Sequence, residues 1–181
     1  MLYKRSIALS LLSLGSVLLG SCQQQQQQTM AAAAYTPRYV YHAGTTPRLL
    51  PNGKVTIPAH LPARVKRVLA AGNKIVGKPY RMGGGHKSHH DSAYDCSGTT
   101  AFVLREAGML KPGAKPTSGD FLRWGRAGYG KYLTVYAKHG HVFLMVNGMR
   151  LDTSNEYGRG PRWTTASRRS KGFYVRHIPG Y

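Results

Sequence analysis

Asn147-Gly148 constrains this chain more than any other pair of residues, because two residues of this type between apolar runs close a tight hairpin and set the register of both strands. His141-Val142-Phe143-Leu144-Met145-Val146 precedes the pair, and Met149 to Ser154 follows it. With Asn147 and Gly148 as the loop, Val146 lies opposite Met149, Phe143 opposite Asp152, and His141 opposite Ser154. Cross-strand partners share a face, so His141, Phe143, Asp152 and Ser154 are expected to project together. Asp152 is then the diagonal neighbour of His141, within reach of the ring's second N–H.

Helical periodicity lies upstream of the hairpin. Pro62 fits a first helical position, and Val65, Val68, Leu69, Gly72, Ile75 and Val76 recur on one face opposite Arg64, Arg67 and Lys74, which predicts a helix from Pro62 to about Val76. Gly77-Lys78-Pro79 ends it, and Gly83-Gly84-Gly85 opens a loop containing His86, His89 and His90. A second helix is predicted from an Asp95 cap through Phe102, Val103, Leu104 and Ala107 to a stop at Gly108. Cys96 falls in its first turn. There the backbone amides and the helix dipole favour a thiolate over a thiol, and the thiolate is the nucleophile. Ser97, Gly98 and Thr99 are small enough to leave the sulfur accessible. A free cysteine at such a place is also a common core residue, so the reading depends on a partner base.

The chain has only two cysteines, and the first is accounted for by its surroundings. Lys4 and Arg5 precede an apolar run from Ile7 to Leu19 that is too short to span a bilayer comfortably, and Leu19-Gly20-Ser21-Cys22 follows. This stretch resembles the lipobox of bacterial lipoproteins. The resemblance implies that residues 1–21 are a signal peptide and that Cys22 is a lipid attachment site. Gln23 after the cysteine favours retention at the periplasmic face of an outer membrane. Residues 22–60, with the Gln23–Gln28 run and an alanine-rich stretch, carry few large apolar side chains and are expected to form a flexible tether reaching on the order of 35 Å. Residues 61–181 are then one small domain.

Charge narrows the partners. Twenty-six Lys and Arg face six Asp and Glu, a formal net charge of +20. An exported chain with this field is expected to meet anionic lipid headgroups, wall polymers and peptidoglycan carboxylates rather than nucleic acid. The basic residues are spread along the chain, which solubility alone also accommodates.

Cys96, His141 and Asp152 occur in the order of a thiol nucleophile, its base and an orienting carboxylate. The segments Gly77-Lys78-Pro79-Tyr80-Arg81-Met82-Gly83-Gly84, Asp95-Cys96-Ser97-Gly98 and Gly140-His141-Val142 closely resemble the NlpC-type cell-wall cysteine peptidases over residues 61–181. The resemblance implies an α+β, papain-like fold with helices packed on an antiparallel sheet. It also implies cleavage of peptidoglycan stem peptides, typically between D-glutamate and a diamino acid, and it assigns Tyr80 to oxyanion stabilisation beside the backbone N–H of Cys96. The family's third catalytic position is most often His, and here Asp152 stands in its place.

No cofactor or metal is expected, because His86, His89, His90 and Asp91 have no second ligand cluster to set a geometry. Trp124, Tyr129 and Trp163 fit either a groove or the core. Besides an endopeptidase, the same thiol chemistry serves an amidase or an acyl or peptidyl transferase. A non-catalytic basic envelope-binding lipoprotein is the reading without chemistry.

Overall fold

The computed structural model describes residues 31–155 and 158–181, so the signal segment and Cys22 lie outside the described residues. Among the described residues, two α-helices, α1 (Ala63–Ile75) and α2 (Cys96–Glu106), precede a short 3-10 turn at Asp120–Arg123 and six strands. The strands are β1 (Arg126–Ala127), β2 (Leu133–Lys138), β3 (His141–Val146), β4 (Met149–Asn155), β5 (Gly158–Thr164) and β6 (Tyr174–His177). They form one sheet in the order β1-β6-β2-β3-β4-β5, with every pairing antiparallel. The fold is α+β. Among the described residues no helix is long and apolar enough to cross a membrane.

The helices form where the periodicity places them. Val65, Val68, Leu69, Ala71, Gly72 and Ile75 make the buried face of α1. Pro62 is the N-cap rather than the first helical residue, and its carbonyl accepts the Lys66 N–H at 3.0 Å. Gly72 is there for contact: a Cβ on it would stand 2.3 Å from the Trp163 ring. Helix α2 is buried from Cys96 to Leu104 and runs through the middle of the core. It closes at Gly108 (φ +67°), where the N–H groups of Gly108 and Met109 return to the carbonyls of Arg105 and Leu104 at 2.9 and 2.8 Å.

The hairpin adopts the predicted register. Val146 pairs with Met149, Met145 with Arg150, and Leu144 with Leu151. Asn147 and Gly148 both take positive φ, at 45° and 86°. On one face of the sheet Val142, Leu144, Val146, Met149 and Leu151 join the helices in the main core. On the other, Tyr136, Phe143, Met145, Phe173 and Val175 form a second cluster with Ala32.

Ala32 belongs to the stretch expected to be a tether, and that expectation is corrected for residues 31–60. The start of the described chain forms isolated bridges at Ala31 to Tyr174 and Tyr35 to Arg169. The Ala32 N–H donates to the Phe173 carbonyl at 2.8 Å, and the Ser170 N–H to the Ala34 carbonyl at 2.8 Å. Further on, Val55 is buried, and its N–H and carbonyl are both held by the Asn73 side chain at 2.9 and 2.8 Å. A composition argument counts apolar side chains, whereas this segment is ordered chiefly by main-chain pairing. The folded unit therefore begins by residue 31, not at 61.

Candidate functional site

Local sequence builds the thiol end of the site. Asp95 caps α2 by accepting the Gly98 N–H at 2.6 Å on Oδ1, while its Oδ2 accepts the Gly83 N–H at 2.9 Å. The cap thus ties the glycine loop to the helix start. Gly98 permits this closeness, because a Cβ there would lie 2.0 Å from the Gly84 carbonyl oxygen. Cys96 is the first helical residue and is 8% exposed. It is a free cysteine.

His141 opens β3 and brings an imidazole to the site. Lys138 pairs with His141 across the two-residue turn His139-Gly140, which places the ring at the end of the strand. Its Nε2–H donates to Asp152 Oδ1 at 2.9 Å, and it also hydrogen-bonds Cys96. Because Nε2 is committed to the carboxylate, Nδ1 is the nitrogen left for the thiol. Burial disfavours the imidazolium, but the hydrogen bonds to Asp152 and Cys96 outweigh it and raise the His141 pKa from 6.5 to about 9.

Asp152 completes the row that the hairpin predicts. Its side chain is fully buried. Oδ1 also accepts the Ser154 N–H at 3.1 Å, where a register shift between Asp152 and Ser154 interrupts the β4–β5 ladder. Oδ2 accepts from Arg168 Nη1, and Arg150 Nη1 lies 3.6 Å away. Burial alone would raise the pKa of this carboxyl; the His141 hydrogen bond and the Arg168 charge hold it below its ordinary value. Cys96, His141 and Asp152 are thus brought together. Tyr80, half-buried, lines a pocket of about 240 Å³ with His141, Thr153 and Ser154.

The histidine-rich loop divides between the two ends of α2. His86 Nε2 lies 3.2 Å from Asp95 Oδ1 and 3.1 Å from Ser97 Oγ, supporting the turn that carries Cys96. His89 Nε2 meets Glu106 Oε1 at 2.6 Å at the far end of the helix. His89, His90 and Glu106 present ligand atoms within 4.8 Å of one another, the one grouping among the described residues with metal-ligand spacing. Glu106 is already paired with Lys74 at 2.8 Å, however, so a cation entering there would meet the Lys74 ammonium. A larger hollow of about 560 Å³ beside His89, Glu106 and Gly113 holds none of the thiol-site groups.

Trp163 packs in the core against Gly72 and also lines a hollow of about 440 Å³ with Leu50 and Val76, Tyr129 lines another of about 310 Å³, and Trp124 packs partly buried against Phe121; neither hollow includes Cys96 or His141. Arg168 and Arg150 were not legible in the sequence. Nothing local separates Arg168 from its neighbour Arg169, and the pairing of residues 32–36 with residues 168–173 fastens it at the site.

No protein-family model matches the chain, and no curated protein matches it in sequence. Among solved structures it is similar to one described as "Structure of Rv1477, hypothetical invasion protein of Mycobacterium tuberculosis", at 22% identity and a TM-score of 0.41, with 65% of this chain and 67% of that chain covered. The described residues define an α+β protein with a thiol, imidazole and carboxylate assembled at one helix start.

Proposed function

We propose that this chain is a papain-like thiol hydrolase of the bacterial cell wall, cleaving peptide bonds in peptidoglycan stems. The observation that carries the reading is the hydrogen-bonded row from Cys96 at the start of α2 through His141 to the buried Asp152. His141 takes the thiol proton, and Asp152 holds the ring in one tautomer and balances the imidazolium. Cys96 Sγ then attacks the scissile carbonyl. The oxyanion forms near the helix-start amide of Cys96, with Tyr80 beside His141 positioned to assist. His141 returns its proton to the leaving amine, and water resolves the thioester.

Stem peptides are supported as substrates by the glycine-loop, Asp-Cys-Ser-Gly and Gly-His motifs, and by a net charge of +20 that attracts their carboxylates. The D-glutamyl-diamino acid bond is the proposed target. A lipid on Cys22 would hold the domain beside its substrate in the cell envelope, most simply at the periplasmic face of the outer membrane.

The test is mass spectrometry of purified stem peptides incubated with residues 31–181 or with the Cys96→Ala form. New termini that require Cys96 support the hydrolase and identify the bond; peptide-exchange products would make it a transferase, and whole stems released from the glycan when intact peptidoglycan is the substrate would make it an amidase. Stems left unchanged by a protein whose thiol also resists alkylation would return the chain to a binding role.

A further inference from the structure

Arg168 lies between β5 and β6, outside every strand. Its Nη1 nevertheless donates to Asp152 Oδ2 and to the Ser154 carbonyl at 3.4 Å, and stands 3.1 Å from His141 Nε2. Nε2 does not accept that contact, because its own proton goes to Asp152. Two donors therefore converge on one carboxylate, and a permanent cation sits against the ring that becomes cationic when protonated. The guanidinium is held in place by stacking, with Cζ 5.0 Å from the Phe143 centroid and 5.5 Å from that of Phe173.

The backbone of Arg168 is fastened as well. The Thr36 N–H donates to its carbonyl at 2.9 Å, and its own N–H donates to Thr36 Oγ1 at 2.9 Å. Ser170 Oγ donates to the Ala33 carbonyl at 2.7 Å, two residues along the same strap. The first described segment of the chain thus sets the position of a side chain that touches both His141 and Asp152.

The charged and titratable groups around His141 are Cys96 from α2, Asp152 from β4, Tyr80 from the loop after α1, Lys138 at the end of β2, whose Nζ stands 4.7 Å over the Phe173 ring, and Arg168; Arg150 faces Asp152. Without Arg168, the buried carboxylate would grip a protonated ring more tightly. A ring that holds its proton too firmly is a poor acid toward a leaving amine. We propose that Arg168 is a positioning residue of this site: strapped down by residues 32–36, it aligns the Asp152 carboxylate and limits how firmly that carboxylate keeps a proton on His141. The inference rests on Cys96 and His141 being the reacting pair.

The experiment is a pH titration of the His141 ring by NMR in the full chain, paired with the rate of Cys96 alkylation by iodoacetamide across the same range. Arg168→Gln is expected to move the ring titration upward by about one pH unit, carrying the upper inflection of alkylation with it. Arg168→Lys keeps the charge and stays close to wild type. Thr36→Val, which removes the side-chain half of the clamp, shifts both readouts in the direction of Arg168→Gln by a smaller amount. The exposed Arg169→Gln leaves them in place. A folded Arg168→Gln whose ring titrates as in wild type, or lower, overturns the inference; should that variant not fold, an unmoved titration in Thr36→Val does so. A wild-type thiol inert to iodoacetamide at every pH overturns the reacting-pair reading and this inference with it, whereas a reactive thiol with an unmoved ring overturns this inference alone.

Discussion

Of the three histidine–carboxylate pairs near α2, His89–Glu106 at its end and His141–Asp152 beside its start differ most, and the shorter of these two is not the more consequential. His89 and Glu106 are 2.6 Å apart with side chains 33% and 22% exposed, while His141 and Asp152 are 2.9 Å apart with side chains 14% and 0% exposed. Each carboxylate also meets a basic side chain, Lys74 in the first pair and Arg168 in the second. Water and salt screen the exposed pair, leaving an interaction of a few tenths to about 1 kcal/mol. The Asp152 side chain is closed off from bulk solvent, and His141, Arg168, Arg150 and the Ser154 amide face its charge. Hydrogen-bond length ranks the two pairs one way, and the surrounding dielectric ranks them the other.

Cys96→Ala is expected to remove stem cleavage by at least about a thousandfold while the helix persists, as followed by product mass spectrometry and circular dichroism. Asp152→Asn should lower the cleavage rate by about two to four orders of magnitude through loss of ring orientation. The same change should destabilise the fold by about 3–5 kcal/mol in denaturant, since Arg168 and the buried Arg150 lose their counter-charge. Glu106→Gln sets the other limit, with cleavage within about twofold of wild type and a stability loss under about 1 kcal/mol. Equal costs for the two substitutions would erase the distinction between the pairs.

Stability against pH sharpens it further. The His141 pKa is raised in the fold, so its contribution is fully present below pH 6.5 and is lost as pH rises through about 9. Asp152 is lowered, so its contribution is present above 3.8 and is lost as pH falls below that value. The melting temperature should therefore fall on the alkaline side toward pH 9 in wild type. His141→Gln should flatten that limb, and Glu106→Gln should leave it. Gly98→Ala should cost about 2 kcal/mol of stability, between the Asp152→Asn and Glu106→Gln losses, with slower Cys96 alkylation because the Gly84 carbonyl must move.

What could be read from the sequence was local and periodic. The apolar faces of both helices, Asp95 as a cap, the stop at Gly108 and the hairpin register each depend on residues within a few positions of one another, and the structure keeps them. The His141–Asp152 contact was legible because a two-residue turn transmits register along both strands. The strap and Arg168 were not, because backbone pairing between segments more than 130 residues apart leaves no periodic trace. His86 was legible as a histidine but not as a support for Asp95 and Ser97, which depends on how the glycine loop turns back.

The joining of Thr36 to Arg168 spans 132 positions, almost the whole described chain. Contacts of such separation carry a large loop-closure cost and tend to form late in folding. A chain still emerging from synthesis, or one cut after Thr36, would hold the cysteine on a formed helix before its base and carboxylate are secured. The surroundings of the thiol are thereby tied to completeness: residues 33–36 and 168–170 must meet before Cys96 acquires its full set of neighbours.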